Sequence, residues 1–375
     1  MDKSRSALKG AHHIVIKLSS SIVADESGQI NDGHLRTLAK EIVALRDQGR
    51  GVILITSGAM RVGLVKLGFR TPVRALAKRQ AAASVGQSEL IWYYRQIFED
   101  LGVRIGQVLL TQADIFDRQR YVHVRDTLSS LIDSYNVLPI INENDTVSVE
   151  GIRFGENDRL AALVAVKVEA DLLILLSDVA GLYTADPRKH PDASLIPVVT
   201  EISSEMEQQA TGPSGSGAGG MRAKLQAAKV TMQSGVPMVV ASGQEAGVIA
   251  RIVDGESIGT LFVPSGAPLR ARQRWLGFAA EPKGRVAVDE GAAKVLVSAN
   301  TSLLAVGVTG VTGDFQPGDV VVVADPEGRE IARGLVNYSA DDLRQIQGRH
   351  SHEIGAILGT DSSPEVVHRD NLVLL

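Results

Sequence analysis

The sequence lacks cysteine and any long apolar segment. Without cysteine, disulfide bonds, thiol nucleophiles and cysteine-ligated zinc are excluded, and a reducing cytoplasm is the expected location. The longest strongly apolar run, residues 172–176, is far shorter than the roughly 18 residues that a membrane span requires. Residues 1–13 are charged and polar, which does not fit a signal peptide. We therefore expect no membrane association.

An excess of positive charge is also missing. The chain has 39 Lys and Arg against 43 Asp and Glu, with a net charge of -4, so it is not a globally basic protein that holds nucleic acid or anionic lipid. Apolar residues make up 44% and charged residues 22% of the 375 residues, which is typical of a soluble globular protein. This length suffices for about two or three domains.

The first 263 residues alternate short β-rich runs with helical patterns. This alternation predicts an open, mostly parallel α/β sheet with helices on both faces. Residues 35–45 show helical spacing that stops before Gly49. A second helical pattern follows Asn157 and Asp158, which we expect to cap that helix. The predicted strands are residues 13–18, 51–55, 103–110, 137–141, 171–176 and 236–240.

The pattern changes after Val263. Residues 264–283 combine Pro, Gly, Ser and Arg and are predicted to form a linker. Residues 284–375 contain one helical pattern, at 289–298, followed by short strand patterns separated by glycine turns. We therefore predict one α/β domain over residues 1–263 and a small β-rich, barrel-like domain over residues 284–375.

A glycine-rich segment near the end of the first domain is the first candidate site. Residues 215–220 match G-x-G-x-x-G, but a dinucleotide site would need a preceding strand and an acidic residue roughly 20 positions later, and both are missing. The following helical pattern carries Lys224 in its predicted first turn, where a cation opposes the helix dipole and requires a negative partner. We predict a phosphate-binding loop; a plain flexible surface loop is the alternative.

Two further candidates lie at predicted strand ends, where open α/β sheets collect their ligands. Lys17 ends the first strand, and a solvated strand end is its alternative interpretation. Residues 56–59 (Thr-Ser-Gly-Ala) follow the second strand, and their N–H and hydroxyl groups can bind a carboxylate. A structural turn explains these four residues equally well.

Two acidic, amide-rich clusters flank a predicted hairpin through Gly151. They are residues 142–145 (Asn-Glu-Asn-Asp) and residues 155–158 (Gly-Glu-Asn-Asp). Such side chains can hold an ammonium group, orient lysines or order the water around Mg²⁺. Ordinary turn chemistry is the alternative.

Other motifs are weak or absent. Ser177 and Asp178 follow the strand at 171–176 and suit the ribose and base of a nucleotide. The 8 histidines show no H-E-x-x-H spacing, so no metal site is predicted. No G-x-S-x-G nucleophile elbow is present, which argues against a serine hydrolase.

As an ordered set, these segments resemble the amino acid kinase family. The C-terminal residues 328–334 and 367–371 resemble the PUA domain that many bacterial members carry. No single segment is specific to the family, whereas the order of the segments along the chain is. The segments that carry the resemblance to the kinase family are residues 15–18, 56–59, 85–87, 141–145, 155–158, 181–188 and 219–224.

The resemblance implies the amino acid kinase fold and ATP-dependent phosphorylation of the γ-carboxylate of L-glutamate, the first step of proline biosynthesis. Mg²⁺ would accompany ATP. Proline as a feedback inhibitor and a homo-oligomer are further family expectations. Since the attacking carboxylate is already ionised at neutral pH, the absence of a catalytic His or Cys is no objection.

The resemblance also implies roles for individual residues. Lys17 and Lys224 would neutralise the transferring phosphoryl group, and Asp158 would position both lysines. Glutamate would be bound by Ser57, Asp145 and Asn157. The residues implied for ATP, besides Lys17 and Lys224, are Ser177, Asp178, Gly219, Gly220, Met221, Arg222 and Ala223.

Three alternatives remain at this point. The chain could phosphorylate another carboxylate, carbamate or a nucleoside monophosphate, or it could be a non-catalytic amino-acid sensor. An RNA-linked role through the PUA-like domain is the third. Residues 284–375 carry 7 Lys and Arg against 13 Asp and Glu, and since phosphate contacts dominate RNA affinity, nucleic acid is not the expected partner.

Overall fold

The chain forms two compact units, residues Met1–Pro268 and Leu269–Leu375. The computed structural model describes residues 3–69, 73, 75–147, 156–187, 189–210, 218–264, 282–299, 301–359 and 364–375. Most of the predicted linker and the predicted hairpin through Gly151 lie outside the described residues, so the predicted domain boundaries stay predictions. Within these ranges, no helix is long and apolar enough to cross a membrane.

The first unit is built on an eight-stranded sheet with the order β3-β4-β2-β1-β5-β7-β8-β6. All neighbouring strands are parallel except β7 and β8, which are antiparallel. The predicted open, mostly parallel sheet is therefore confirmed. The strands are β1 (His13–Leu18), β2 (Gly51–Ile55), β3 (Ile105–Leu110), β4 (Leu138–Glu143), β5 (Leu172–Ser177), β6 (Val198–Val199), β7 (Met238–Ser242) and β8 (Thr260–Phe262).

Helices connect these strands and cover both faces of the sheet. The predicted helix at residues 35–45 is confirmed as part of α3, which ends before Gly49. The α-helices described in this unit are α1 (Lys3–Ser6), α2 (Ser20–Val23), α3 (Asp32–Asp47), α4 (Ala59–Lys66), α5 (Leu76–Asp100), α6 (Gln112–Phe116), α7 (Arg118–Ser129), α8 (Glu156–Lys167), α9 (Ser204–Ala210), α10 (Ala218–Gln233) and α11 (Val248–Val253).

The core of the first unit is divided by the sheet. Successive side chains of a strand point to opposite faces, so Ile14 and Ile16 pack into one apolar cluster while Val15 packs into the other. The cluster around Val15 includes Leu160 of α8 and Leu225 of α10. Both faces are thus buried, which explains why the central strands are nearly continuous aliphatic runs.

Helices α4 and α5 approach each other at backbone distance. A Cβ atom at Gly63 would lie 1.7 Å from the carbonyl oxygen of Ala82, and one at Gly86 would lie 1.8 Å from that of Ala59. Only glycine fits at these two positions, because the obstructing atoms belong to the main chain. The contact fixes α5 against the helix that follows β2.

The second unit contains a five-stranded sheet with the order β11-β9-β12-β13-β15 and a two-stranded sheet of β10 and β14. The predicted helix at 289–298 is confirmed as α12 (Glu290–Ala299), whereas α13 (Ala340–Ile346) and α14 (Ser351–Leu358) were not predicted. The strands are β9 (Gly284–Val288), β10 (Leu303–Leu304), β11 (Val308–Gly313), β12 (Val320–Ala324), β13 (Glu330–Leu335), β14 (Glu365–Val367) and β15 (Leu372–Leu374).

Candidate active site

The strand order gathers the predicted site residues at one edge of the first sheet. Strand β1 lies between β2 and β5 in the sheet. The next strand beyond β2 is β4, and the next strand beyond β5 is β7. Because these strands are parallel, their carboxyl ends share an edge, and ligands of open α/β sheets bind where the strand order reverses. Lys17, Ser57, Asn142 and Ser177 all lie at or directly beyond these strand ends.

The position of Lys17 in β1 determines which helices it meets. Lys17 shares the sheet face of Val15 because side chains alternate along a strand. That face is covered by α8 and α10, which also pack against each other. Lys17 is only 5% exposed, so the interpretation as a solvated strand end is wrong.

Asp158 of α8 joins the two predicted lysines. Lys17 Nζ donates a hydrogen bond to Asp158 Oδ1, and Lys224 Nζ of α10 donates to Asp158 Oδ2 at 3.0 Å. Asp158 is 1% exposed and Lys224 6% exposed. We call these three residues the lysine–aspartate cluster. With two basic groups and one carboxylate, it is suited to receive an anion.

Burial and charge act in opposite directions on the pKa values of this cluster. Burial raises the pKa of Asp158, but the positive charges of Lys17 and Lys224 outweigh it and hold that pKa below its ordinary value. Burial lowers the pKa of Lys17, and the charge of Lys224 lowers it further, against the effect of Asp158. An incoming anion would therefore stabilise the charged form of Lys17.

Asn157 connects α8 to the turn that follows β2. Its Nδ2 donates to the main-chain oxygen of Thr56 and to Ser57 Oγ, both at 2.9 Å. Gly58, the residue immediately before α4, has a φ of 96°, a left-handed conformation that favours glycine. The sequence Thr-Ser-Gly-Ala therefore forms a tight turn that holds the Ser57 hydroxyl at the strand end.

The prediction that Asn157 and Asp158 cap their helix is wrong. Helix α8 begins at Glu156, so both residues lie in its first turn. Their side chains reach away from the helix, to Ser57 in one case and to the two lysines in the other. Tertiary contacts between elements therefore replace the local capping that the sequence predicted.

The glycine-rich segment also differs from its prediction. Helix α10 begins at Ala218, so Gly219, Gly220, Met221, Arg222 and Ala223 are helical rather than part of a loop. Lys224 consequently lies in the second turn, not the first, and its buried partner is Asp158. Residues 211–217 lie outside the described residues.

The remaining predicted residues lie at the same edge of the sheet. Ser177 is the last residue of β5 and is buried, with its hydroxyl accepting a hydrogen bond from the Val179 N–H at 3.3 Å. Asp178 is exposed, and its negative charge acts on Lys17. Asp145 is half-buried beyond the end of β4.

Helix α5 contributes site residues that sequence reasoning did not single out as ligands. Gln87 Oε1 accepts a hydrogen bond from Asn142 Nδ2 at 2.6 Å. The hydroxyl groups of Tyr94 and Thr56 are hydrogen-bonded at 2.7 Å. Gln87 and Tyr94 are two helical turns apart and so share a face, and this spacing is the sequence signal that could have identified them.

The sequence profile of the amino acid kinase family matches residues 13–242, and that of the PUA domain matches residues 284–358. The chain belongs to the amino acid kinase family. The glutamate 5-kinase of Moorella thermoacetica is 46% identical to it over 372 residues, which are 99% of this chain and 98% of that protein.

A second relative is also a glutamate 5-kinase that matches nearly the full length of this chain. The glutamate 5-kinase of Trichormus variabilis is 47% identical over 365 residues, covering 96% of this chain and 99% of that protein. Among solved structures, the UMP kinase of Bacillus anthracis matches 69% of this chain and 99% of its own with a TM-score of 0.46 and 18% identity. The similarity to the glutamate 5-kinases therefore extends through both units of the chain.

Proposed function

We propose that this protein transfers the γ-phosphoryl group of ATP to the γ-carboxylate of L-glutamate, which gives L-glutamyl 5-phosphate, the first intermediate of proline biosynthesis. The observation that carries the proposal is the buried lysine–aspartate cluster at the carboxyl ends of the central strands. Near full-length similarity to glutamate 5-kinases supports L-glutamate as the substrate.

The chemistry needs alignment and charge neutralisation rather than proton abstraction. A carboxylate oxygen of glutamate attacks the γ-phosphorus, the bond from phosphorus to the β,γ-bridging oxygen breaks, and ADP leaves with that electron pair. Negative charge shifts over the phosphoryl oxygens during this step, and preorganised cations stabilise it. Lys17 and Lys224 would supply these cations, and Asp158 holds both ammonium groups in place.

The remaining residues divide between the two substrates. Ser57, Asp145 and Asn157 would bind glutamate at the ends of β2 and β4. Ser177, Asp178 and the first two turns of α10, Gly219 to Lys224, would bind ATP. This division is supported by the strand order, in which β2 and β4 lie on one side of β1, the strand of Lys17, and β5 lies on the other.

Mg²⁺ is the proposed companion of the nucleotide. In kinase sites it takes most of its ligands from phosphate oxygens and water, with one or two carboxylates. The exposed carboxylate of Asp178 at the end of β5 fits that requirement. When bound, Mg²⁺ would add positive charge at the β- and γ-phosphates. Inhibition by proline and a homo-oligomer are proposed on the basis of the family resemblance, and a cytoplasmic location on the basis of the cysteine-free sequence.

Formation of γ-glutamyl hydroxamate tests the proposed reaction directly. In the presence of ATP, Mg²⁺ and hydroxylamine, the acyl phosphate formed from L-glutamate is trapped as the hydroxamate, which is measured by its iron complex. We expect a rate with L-aspartate that is roughly tenfold or more lower, because one missing methylene displaces the carboxylate from the phosphorus. Equal or faster turnover of aspartate or carbamate would contradict the substrate assignment.

Asp145→Asn tests the proposed site for the α-ammonium group of glutamate. The substitution keeps the shape but removes the negative charge, and loss of one member of a desolvated charge pair costs on the order of 2–5 kcal/mol. We expect the KM for glutamate to rise while the KM for ATP stays nearly unchanged. Asp133→Asn is the control, because Asp133 is exposed on the surface. Loss of ATP affinity with unchanged glutamate affinity would place Asp145 at the nucleotide instead.

A further inference from the structure

Three side-chain amides form a continuous hydrogen-bonded chain between α5 and the turn after β2. Gln87 Oε1 accepts from Asn142 Nδ2 at 2.6 Å, and Asn142 Oδ1 accepts from Asn157 Nδ2 at 2.9 Å. Asn157 Nδ2 also donates to the main-chain oxygen of Thr56 at 2.9 Å. We call Gln87, Asn142 and Asn157 the amide relay.

The direction of the amide relay is fixed by the main chain. The carbonyl of Thr56 can only accept a hydrogen bond, so the amide nitrogen of Asn157 must face it. The group of Asn142 that meets this nitrogen must then be its oxygen, and the nitrogen of Asn142 must point at Gln87. Gln87 completes the chain only by presenting its carbonyl oxygen, which is an acceptor.

With this direction, the amide oxygen of Asn157, at the opposite end of the amide relay from Gln87, has no partner within the relay. Asn157 Oδ1 is buried and has no hydrogen-bond partner among the residues that the structure describes. A buried acceptor without a donor is costly, which indicates that a ligand supplies the donor. At neutral pH, L-glutamate has two carboxylates, which only accept, and one α-ammonium group, which only donates.

We propose that Gln87 is a positioning residue for the α-ammonium group of L-glutamate. It holds the amide relay in the direction that makes Asn157 Oδ1 an acceptor for this group. The inference rests on the proposed function, since it assumes that glutamate is the substrate. It adds a residue on α5 that acts on substrate recognition through Asn142 and Asn157.

Helix α5 is well placed for this task because it contacts both ends of the amide relay. Gln87 meets Asn142 at one end, and Tyr94 hydrogen-bonds Thr56, whose carbonyl anchors Asn157, at the other. The backbone contact at Gly63 and Gly86 prevents α5 from shifting relative to α4. Gln87 directly follows Gly86, so it lies where α5 is packed against α4.

Gln87→Met is the variant that tests the proposal. It keeps the approximate length of the side chain but removes the acceptor, so Asn142 and Asn157 are no longer held in one orientation. The readout is the ratio of kcat/KM for L-glutamate to that for glutarate, which has both carboxylates but lacks the ammonium group. We expect this ratio to fall about tenfold or more, because an unsatisfied partner weakens the hydrogen bond to the ammonium. The KM for ATP should change by less than about twofold.

Two further variants separate this role from a general effect on folding. Gln87→Glu keeps an acceptor facing Asn142 and should retain the high ratio, whereas Gln87→Lys places a donor there and should lower it as Met does. Gln96→Met is the matched control, because Gln96 is exposed on the same helix. It should leave the ratio unchanged.

The possible outcomes decide between the proposals. If the wild-type protein phosphorylates L-glutamate and Gln87→Met slows glutamate and glutarate equally, Gln87 has only a structural role and the inference is overturned. A variant that changes the Mg²⁺ requirement instead of the ratio would place Asn157 Oδ1 at the metal, which also overturns it. If the wild-type protein does not phosphorylate L-glutamate at all, the proposed function itself fails.

Discussion

Lys224→Ala is expected to lower kcat by about a hundredfold to a thousandfold, the effect of removing one preorganised group that stabilises charge in a transition state. The KM for glutamate should change much less. The reason is the position of Lys224, which is buried against Asp158 with its ammonium group in the lysine–aspartate cluster. Its charge matters most when negative charge moves onto the phosphoryl group, which is after both substrates are bound.

The same helix offers a control for this experiment. Lys229 also belongs to α10, but its side chain is 41% exposed and pairs with Glu207 at 2.7 Å. Lys229→Ala should therefore leave kcat and both KM values close to wild type, since exposed ion pairs contribute little. If Lys224→Ala retains kcat within a few-fold of wild type, α10 does not hold the phosphoryl group and the proposed nucleotide site is wrong.

The second large effect is expected for Asp158→Asn. The substitution preserves the shape of the side chain but leaves two buried lysines without their shared carboxylate. Removing one partner of a buried charge pair destabilises a protein by about 3–5 kcal/mol. Without Asp158, Lys17 loses the charge that raises its pKa, so it sheds its proton more readily. We expect kcat to fall about a hundredfold or more, because neither ammonium group is then held in place for the phosphoryl group.

Unfolding measurements with and without ATP check this explanation. The phosphates of ATP replace the missing negative charge, so ATP should raise the thermal midpoint of Asp158→Asn more than that of the wild type.

The free energy of unfolding, measured over a series of pH values, gives a second check on the role of Asp158. The pKa of Asp158 is lowered by folding, so its contribution to stability is present above the unfolded-state pKa and disappears as the pH falls through the folded-state value. In acid, the difference between variant and wild type should shrink.

The strands with bounds that could be predicted from the sequence are those in which aliphatic side chains predominate. Strands β1 and β2 have the predicted bounds, because Ile, Val and Leu fill four of the six positions of β1 and four of the five positions of β2. Strand β4 was predicted to stop at residue 141, yet it continues to Glu143. Asn142 is buried there, and its side chain is hydrogen-bonded to Gln87 and Asn157. A polar residue is not expected at a buried strand position unless its hydrogen-bond partners are known, and these partners are distant in the sequence.

In the candidate site, too, only part of the arrangement could be predicted from the sequence. That Lys17 and Ser57 lie close together could be predicted because each lies at the end of a predicted strand, and both lie at the common edge of the sheet. The shared partner of Lys17 and Lys224 did not follow from the spacing, because Asp158 is 141 positions from Lys17 and 66 positions from Lys224. Only the family resemblance implied that Asp158 positions both lysines. Local rules assigned Asp158 to a helix cap and Lys224 to a first turn. The packing of α8 against α10 instead places both residues over β1.

The contact between Gly63 and Gly86 has a consequence at the level of the gene. Any missense change in a glycine codon introduces a Cβ atom, and at these two codons that atom would overlap main-chain oxygens of the facing helix. A comprehensive library of point mutants selected for growth without added proline should therefore be depleted of every missense allele at both codons, alanine and serine included. Gly68, where a Cβ atom would meet nothing within 4 Å but φ is +74°, should instead tolerate the residues that accept a left-handed backbone, asparagine above all.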